Sequence, residues 1–313
     1  MKRMNVVCQD VKVRSNVSYG GDAWRMTLAV PGDGPYVPGQ FVHLRCAPER
    51  DDPLLRRPFS IYTVRRRGRT TDVDVLYDVV GRGTAILAER KPGDRVGFLG
   101  PLGVGFAPDP SADAYAMVAG GVGIVPFLHL AQEIRRRRLR GPVLLFFGAR
   151  TRAALWGLHD FRALGGITIR TATLDGTAGH RGLVTAPFTE WLRTGGIPPS
   201  RLQVFTCGPL GMLEAVARLC RREGIPCQVS MERRMGCGVG VCGACVTPVL
   251  EPGAPVEEWH YDRICVKGPC MGAERLHLDA AADTGKPGRG EPPTTNRQQP
   301  TNSQRPTANR IRR

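Results

Sequence analysis

No apolar run in the 313 residues approaches the ~18–20 that a helical membrane span needs, which excludes that class of membrane protein. The opening MKRMNVVCQDVKVRS lacks the apolar core of a secretory signal, so the chain reads as soluble and cytoplasmic. Also missing is G-x-G-x-x-G, the ordinary dehydrogenase fingerprint. Acidic residues are the scarcer sign, 28 against 44 Lys and Arg, for a formal net charge of +16. Such an excess invites a nucleic-acid reading, but its distribution argues against one. RRRGR (65–69) has the look of a hairpin tip and RRRRLR (135–140) of a helix end, where arginines favour the helix dipole. Much of the rest lies in a Pro-, Gly-, Thr-, Asn-, Gln- and Arg-rich tail, 279–313, with almost nothing to bury, which reads as disordered.

What is present falls into three folded parts, and the expected fold class is multi-domain. Residues 1–108 alternate short β-rich runs (WRMTLAV, GQFVHLRC, FSIYTVRRR, DVDVLYDVV, DRVGFLG) with Gly/Pro turns, the pattern of a small antiparallel barrel. Over 109–227 strands alternate with helices: AYAMVAGG, then IVPFLHLAQEIRRRR at helical spacing, then GPVLLFFGAR, ITIRTATLD and LQVFTCGP. That rhythm predicts a doubly wound α/β domain with a parallel sheet. A cysteine-rich module occupies 228–278.

The ten cysteines are unevenly placed. Cys8, Cys46, Cys207, Cys220 and Cys227 stand apart and read mostly as small buried hydrophobes. Cys237, Cys242 and Cys245 form C-x4-C-x2-C among four glycines, with Cys265 following after nineteen residues. This is the plant-type spacing for a [2Fe–2S] cluster. Glycines suit it, because a loop wrapping a cluster must aim backbone N–H groups at sulfur. Structural zinc is the rival reading, although zinc knuckles come as paired C-x2-C and only one is present. Disulfides suit a secreted chain better. Cys270, five residues beyond Cys265, competes for the fourth position; Cys265 is preferred because the apolar DRICV leads directly to it.

Four further motifs carry chemistry. In RRPFSIY, Arg57 and Ser60 share a barrel strand, and a guanidinium beside a hydroxyl can hold a flavin diphosphate or ring edge. Arg56 should face the other way. In VGRGTAIL, Gly81, Gly83 and Thr84 open a helix whose free N–H groups can receive a pyrophosphate. In AMVAGGVGIVPFLHLA, Gly120, Gly121 and Gly123 form a strand-to-helix turn open to a dinucleotide, with Pro126 in the first helical turn. A plain tight turn would also explain those glycines. Cys207 ends the strand LQVFTCGP, where ligands of parallel sheets bind, and could lie beside a nicotinamide; as a buried structural thiol it needs no such role.

These motifs, in this order, resemble the ferredoxin–NADP reductase-like flavoproteins. The thiol module follows CGPLGML and PCQVSMERRM, and this order resembles one branch, the iron–sulfur electron-transfer subunit of NAD-dependent (class 1B) dihydroorotate dehydrogenase. The resemblance implies that Arg57, Pro58, Phe59 and Ser60, then Leu76, Tyr77 and Asp78, then Gly83 and Thr84, contact FAD. It implies that GGVGIVP meets NAD, with LDGTAGHRGLVT (174–185) as the turn before the third helix of that domain. It also implies that Cys237, Cys242, Cys245 and Cys265 hold the cluster. Dihydroorotate would be oxidised at the FMN of a separate catalytic subunit, in a heterotetramer, with electrons passing through the cluster and FAD to NAD⁺. The partner would dock around residues 236–269. Two departures stand out: Val104 replaces a polar residue in GPLGVGF, and KGPCM replaces DGPVF after the last thiol. An NAD(P)H-oxidising subunit of a hydrogenase, sulfite reductase or ferredoxin-linked complex shares these cofactors, and a zinc-stapled binding protein is the reading of another class. Arg150 and Arg152 after the second sheet strand leave NADP open beside NAD.

Overall fold

A computed structural model describes residues 6–255 and 257–277; the expected disordered tail lies outside the described residues. Six antiparallel strands close a barrel in the order β1-β2-β5-β4-β3-β6: β1 Val7–Gly20, β2 Ala23–Pro31, β3 Phe41–Arg45, β4 Arg57–Arg67, β5 Thr70–Asp78 and β6 Arg95–Leu102. Period-two alternation drives the closure. On β2, Met26, Leu28 and Val30 point inward to meet Leu44, Ile61, Val75 and Phe98. The basic run at 65–69 is the β4–β5 hairpin, turning at Gly68 (φ 59°). Part of the arginine excess is structural here: Arg14 and Arg67 each lie 2.5 Å from the buried Asp72, and Arg25 lies 2.5 Å from the buried Asp74. A short helix α1, Arg82–Ala88, follows β5.

The second unit is a sheet ordered β10-β9-β8-β7-β11-β12-β15. Its strands are β7 Ala114–Gly120, β8 Val143–Ala149, β9 Ile167–Thr173, β10 His180–Arg181, β11 Leu202–Cys207 and β12 Cys227–Ser230, all parallel. Helices α2 Val125–Arg136, α3 Leu158–Leu164, α4 Thr185–Thr194 and α5 Leu210–Glu223 connect them. Every residue of β7 is buried, as a central strand covered on both faces must be. Arg135 and Arg136 fall in the last turn of α2, the helix end read from RRRRLR.

The thiol module contributes a hairpin, β13 Val246–Leu250 and β14 Trp259–Arg263, then α6 Ile264–Lys267 and β15 Cys270–Gly272. Its last strand pairs antiparallel with β12, so the module extends the nucleotide-type sheet instead of standing beside it. The expected boundary at 227/228 falls inside β12. Composition changes there, but hydrogen bonding does not stop.

Two sets of contacts lock the units together. The Tyr19 and Tyr62 hydroxyls of the barrel donate to Asp160 on α3, Tyr62 at 2.5 Å. On the other side, the Val104 N–H donates to the Gly268 carbonyl at 2.6 Å, and the Cys270 N–H to the Val104 carbonyl at 3.2 Å. The two departures from the family pattern, Val104 and KGPCM, therefore meet. Among the described residues no helix is long and apolar enough to cross a membrane.

Candidate functional site

A cleft opens where the barrel, the sheet and the thiol module converge. Arg57, Pro58, Phe59, Ser60, Leu76, Tyr77, Asp78 and Thr84 line it, so the barrel residues singled out from the sequence come together. Gly83 is the exception, lying behind Arg57: a Cβ there would sit 2.5 Å from the Arg57 Nε. Only a bare backbone lets the guanidinium cross that helix start. Arg57 is also held by the Leu55 carbonyl, which accepts from its Nη1. Arg56 faces elsewhere, its Nη1 3.1 Å from the Cβ position of Gly97 on the barrel's outer surface.

Thr84 shapes the turn. Its hydroxyl oxygen accepts from the N–H groups of Val80 (3.0 Å) and Gly81 (3.1 Å) and donates to the Gly81 carbonyl at 2.9 Å. The N–H groups of residues 82–84 precede the first helical bond, Ala85 N–H to Gly81 carbonyl. Tyr77 lines the cleft while its ring packs in the barrel core against Phe59, 5.6 Å between centroids.

The cleft's floor was not read from the sequence. Ser230, Met231, Glu232, Arg233, Met235 and Pro269, all from the end of β12 and the thiol module, line it, as do Phe41, Val122 and Val125. Cys207 lies among them, buried. Burial pushes its thiol well above the usual range, the nearby Glu232 adds to this, and a Ser230 hydrogen bond opposes it. Burial likewise raises the Glu232 carboxyl. Cys207 is thus a protonated, close-packed thiol, not a thiolate nucleophile.

A second cleft lies at the carboxyl ends of β7, β8 and β11, lined by Gly120, Gly121, Arg150, Trp156, Pro209 and Met212 among others. Leu174 and residues 182–185 from LDGTAGHRGLVT also line it. This is where open α/β sheets bind ligands. Asp78 borders both clefts, so a ligand in one adjoins a ligand in the other. Gly123 and Pro126 line neither. A Cβ on Gly123 would fall 2.1 Å from the Cys207 carbonyl oxygen, so this glycine lets two protein backbones touch; Pro126 is buried in the first turn of α2. Of the two arginines, Arg150 lines the cleft, whereas the Arg152 Nε donates to the Thr177 carbonyl at 3.0 Å.

In the thiol loop, the N–H groups of Val239, Val241 and Cys242 point at the Cys237 Sγ from 3.4, 3.3 and 3.4 Å. Burial alone would raise this thiol, but the N–H groups outweigh it and bring Cys237 down to about 6. Such a nest stabilises sulfur that carries negative charge. Cys245 and Cys265 form a second pair, the Cys265 N–H 3.4 Å from the Cys245 Sγ; burial first, then the Cys245 hydrogen bond, raises Cys265 to about 12. Among the described residues, no three His, Cys, Asp or Glu side chains gather as for a single ion. Cys242 adds a side-chain hydrogen bond to Cys237, and Cys245 adds one to Cys265, so the four thiols stand as two neighbouring pairs. Cys270 is elsewhere, buried with its Sγ 3.7 Å from the Gly39 carbonyl and close to Cys207 and Ser230.

A closed barrel with an arginine-walled cleft, a parallel sheet with a ligand crevice at its carboxyl edge, and a paired-thiol module define a ferredoxin–NADP reductase-like oxidoreductase carrying an iron–sulfur centre. Residues 232–277 match the iron–sulfur cluster binding domain of dihydroorotate dehydrogenase B, and residues 117–218 match the oxidoreductase NAD-binding domain. The electron transfer subunit of dihydroorotate dehydrogenase B (NAD(+)) from Desulforamulus reducens is 36% identical over 236 residues, 74% of this chain and 84% of that protein. Its counterpart from Geobacillus thermodenitrificans is 39% identical over 244 residues, 77% and 87% of the two chains. A solved NADH-dependent reduced ferredoxin–NADP oxidoreductase, studied for flavin-based electron bifurcation, superposes with TM-score 0.71 and 25% identity over 87% of this chain and 91% of that one. A ferredoxin NADP⁺ reductase from Neisseria gonorrhoeae with bound FAD and NADP shares the fold at TM-score 0.57 and 18% identity, over 71% and 93% of the chains.

The chain belongs to the family of electron transfer subunits of dihydroorotate dehydrogenase B (NAD(+)). Its cofactors are FAD, a [2Fe–2S] cluster and NAD, and the zinc-stapled binding protein and the subunits of other complexes are set aside.

Proposed function

We propose that the chain passes electrons to NAD⁺ from an FMN-bearing catalytic subunit that oxidises dihydroorotate, as one half of a cytoplasmic heterotetramer. One observation carries the reading: the barrel cleft shares Asp78 with the nucleotide cleft on one side and takes its floor from the thiol module on the other. The nucleotide cleft and the thiol module thus both border the barrel cleft. A flavin supplies the step between hydride chemistry and single-electron transfer, since it can exchange two electrons or one.

In this reading, Cys237, Cys242, Cys245 and Cys265 ligate the cluster, Arg57 and the helix start at Gly83 and Thr84 hold the FAD diphosphate, and Ser60 and the backbone of Leu76–Asp78 flank the ring. Gly120 and Gly121 admit the NAD backbone. Cys207, with Ser230 and Glu232, walls the barrel cleft. The catalytic subunit docks over residues 236–269, because efficient electron transfer needs short separations and the thiol loop is the end remote from the nucleotide cleft.

The test is division of labour. Purified alone, the chain should reduce an artificial acceptor with NADH and leave dihydroorotate untouched; adding the FMN subunit should switch on dihydroorotate:NAD⁺ turnover. Dihydroorotate oxidation by the single chain, or no gain on adding that subunit, would refute the assignment.

A further inference from the structure

His43 stands on β3 at the barrel surface, fully buried, with neither ring nitrogen hydrogen-bonded to any described residue. Buried polar atoms are almost always satisfied, and an imbalance of this kind calls for a partner. The sequence VHL gave no reason to single it out.

Its surroundings identify that partner. Two residues earlier on the same face, Phe41 lines the barrel cleft, its ring centroid 5.7 Å from that of His43. On the other side, Gly238 of the thiol loop passes over the imidazole so closely that a Cβ would sit 3.0 Å from both Nδ1 and Cε1. His43 therefore lies between the barrel cleft and the loop that begins at Cys237. The Nη1 of Arg56 also lacks a partner, and Arg56 is near enough to act on the imidazole electrostatically. Burial, then the Arg56 charge, lowers His43 to about 4. At neutral pH the ring is uncharged, with one N–H to donate.

We propose that His43 donates its imidazole N–H to the sulfur shell of the [2Fe–2S] cluster and so raises the cluster's affinity for an electron. The donor set fits an anionic group: thiolates and sulfides are acceptors only, their negative charge grows on reduction, and hydrogen bonds to sulfur are one of the levers that set such potentials. Gly238 is then glycine for two reasons, its φ of +73° and the imidazole beneath it. The inference rests on the four-cysteine ligand assignment above.

The test uses the whole chain with its cofactors. Protein carrying magnetically labelled nitrogen in histidine alone should show a weak nitrogen coupling in the pulsed EPR spectrum of the reduced cluster. That coupling should vanish in His43→Phe and in His43→Gln. In redox titrations followed by EPR, His43→Phe should bind an electron at the cluster about tenfold less tightly, a fall of about 59 mV for a one-electron couple. His43→Gln, which keeps a donor, should fall by less, and FAD content should not change. No histidine coupling in the wild-type cluster, coupling that survives either substitution, or unchanged potentials would overturn the proposal; if His43→Phe loses its iron, the labelled wild type and His43→Gln still decide. A wild-type chain with no reduced [2Fe–2S] signal would overturn the ligand assignment itself.

Discussion

Two groups of cysteines in this chain share chemistry and differ in what surrounds the sulfur. Cys237 and Cys242 sit on a loop at the surface, where three backbone N–H groups converge on the Cys237 sulfur, while Cys245 and Cys265 of the same group are buried. Cys207 and Cys270 lie deep between barrel and sheet, with Ser230 as their polar neighbour. The loop pulls Cys237 down to about 6, and burial drives the other pair well above the usual range. Burial does not sort the two groups, since Cys245 and Cys265 are buried and Cys265 is raised as well; backbone N–H groups aimed at sulfur mark the first group and, among the described residues, are lacking around Cys207 and Cys270. The predictions below try to break that division.

The largest effect should come from Cys265→Ser. If Cys265 completes the second thiol pair, the variant loses the visible spectrum and iron of the cluster after anaerobic purification, while Cys270→Ser keeps both in full. Iron retained in the first and lost in the second would exchange the two groups' roles.

The next test strips the iron with a chelator and reads alkylation. Only thiolate reacts, so the rate at Cys237 should climb as pH rises through about 6 and level off above it. Cys207 and Cys270 should stay unmodified over the same range, by mass spectrometry of the peptides. Comparable labelling of Cys207 would show that the cleft is wetter and more open than its packing.

A third comparison concerns stability. Cys270 is 3% exposed, and its Sγ occupies the space that a Gly39 Cβ would need, 2.4 Å away. Cys270→Ser puts a hydroxyl there and should lower unfolding stability by about 1–3 kcal/mol. Cys270→Ala should cost less. An equal loss in the two, by denaturant titration, would mean that the pocket treats sulfur and oxygen alike.

The grouping of the thiols was legible from spacing alone. C-x4-C-x2-C with a distant fourth thiol names a ligand set because the motif is local: a loop of a few residues must wrap one centre. Arg57 was legible for a similar reason, since strand alternation separates it from Arg56. Contacts that depend on non-local pairing left no local mark. Glu232 reaches the barrel cleft because β12 pairs with β15, a strand of three residues with no periodicity to detect. Val104 and Cys270 were each visible as departures from the family pattern, but their contact exists only once the loop after β6 meets β15. Gly123 was read as room for a dinucleotide, and its space is filled by the Cys207 carbonyl. A glycine records that something approaches closely and does not say what.

The smallest effect should be that of Cys207→Ser, which probes whether the buried group contributes to chemistry at all. Its thiol is protonated and walls the cleft beside Ser230 and Glu232, so it can pack against a reacting ring without exchanging a proton with it. Serine keeps the shape within a fraction of an ångström and adds a stronger hydrogen-bonding group. FAD and iron content should be unchanged, and NADH oxidation with an artificial acceptor should slow by no more than about tenfold, about 1.4 kcal/mol in barrier. The loss should appear in kcat and leave KM close to its starting value, because a wall beside the reacting atoms acts on approach geometry and not on the nucleotide's remote contacts. A fall of a thousandfold would give Cys207 a chemical role that a buried, protonated thiol does not explain, and would move it out of the group of fillers.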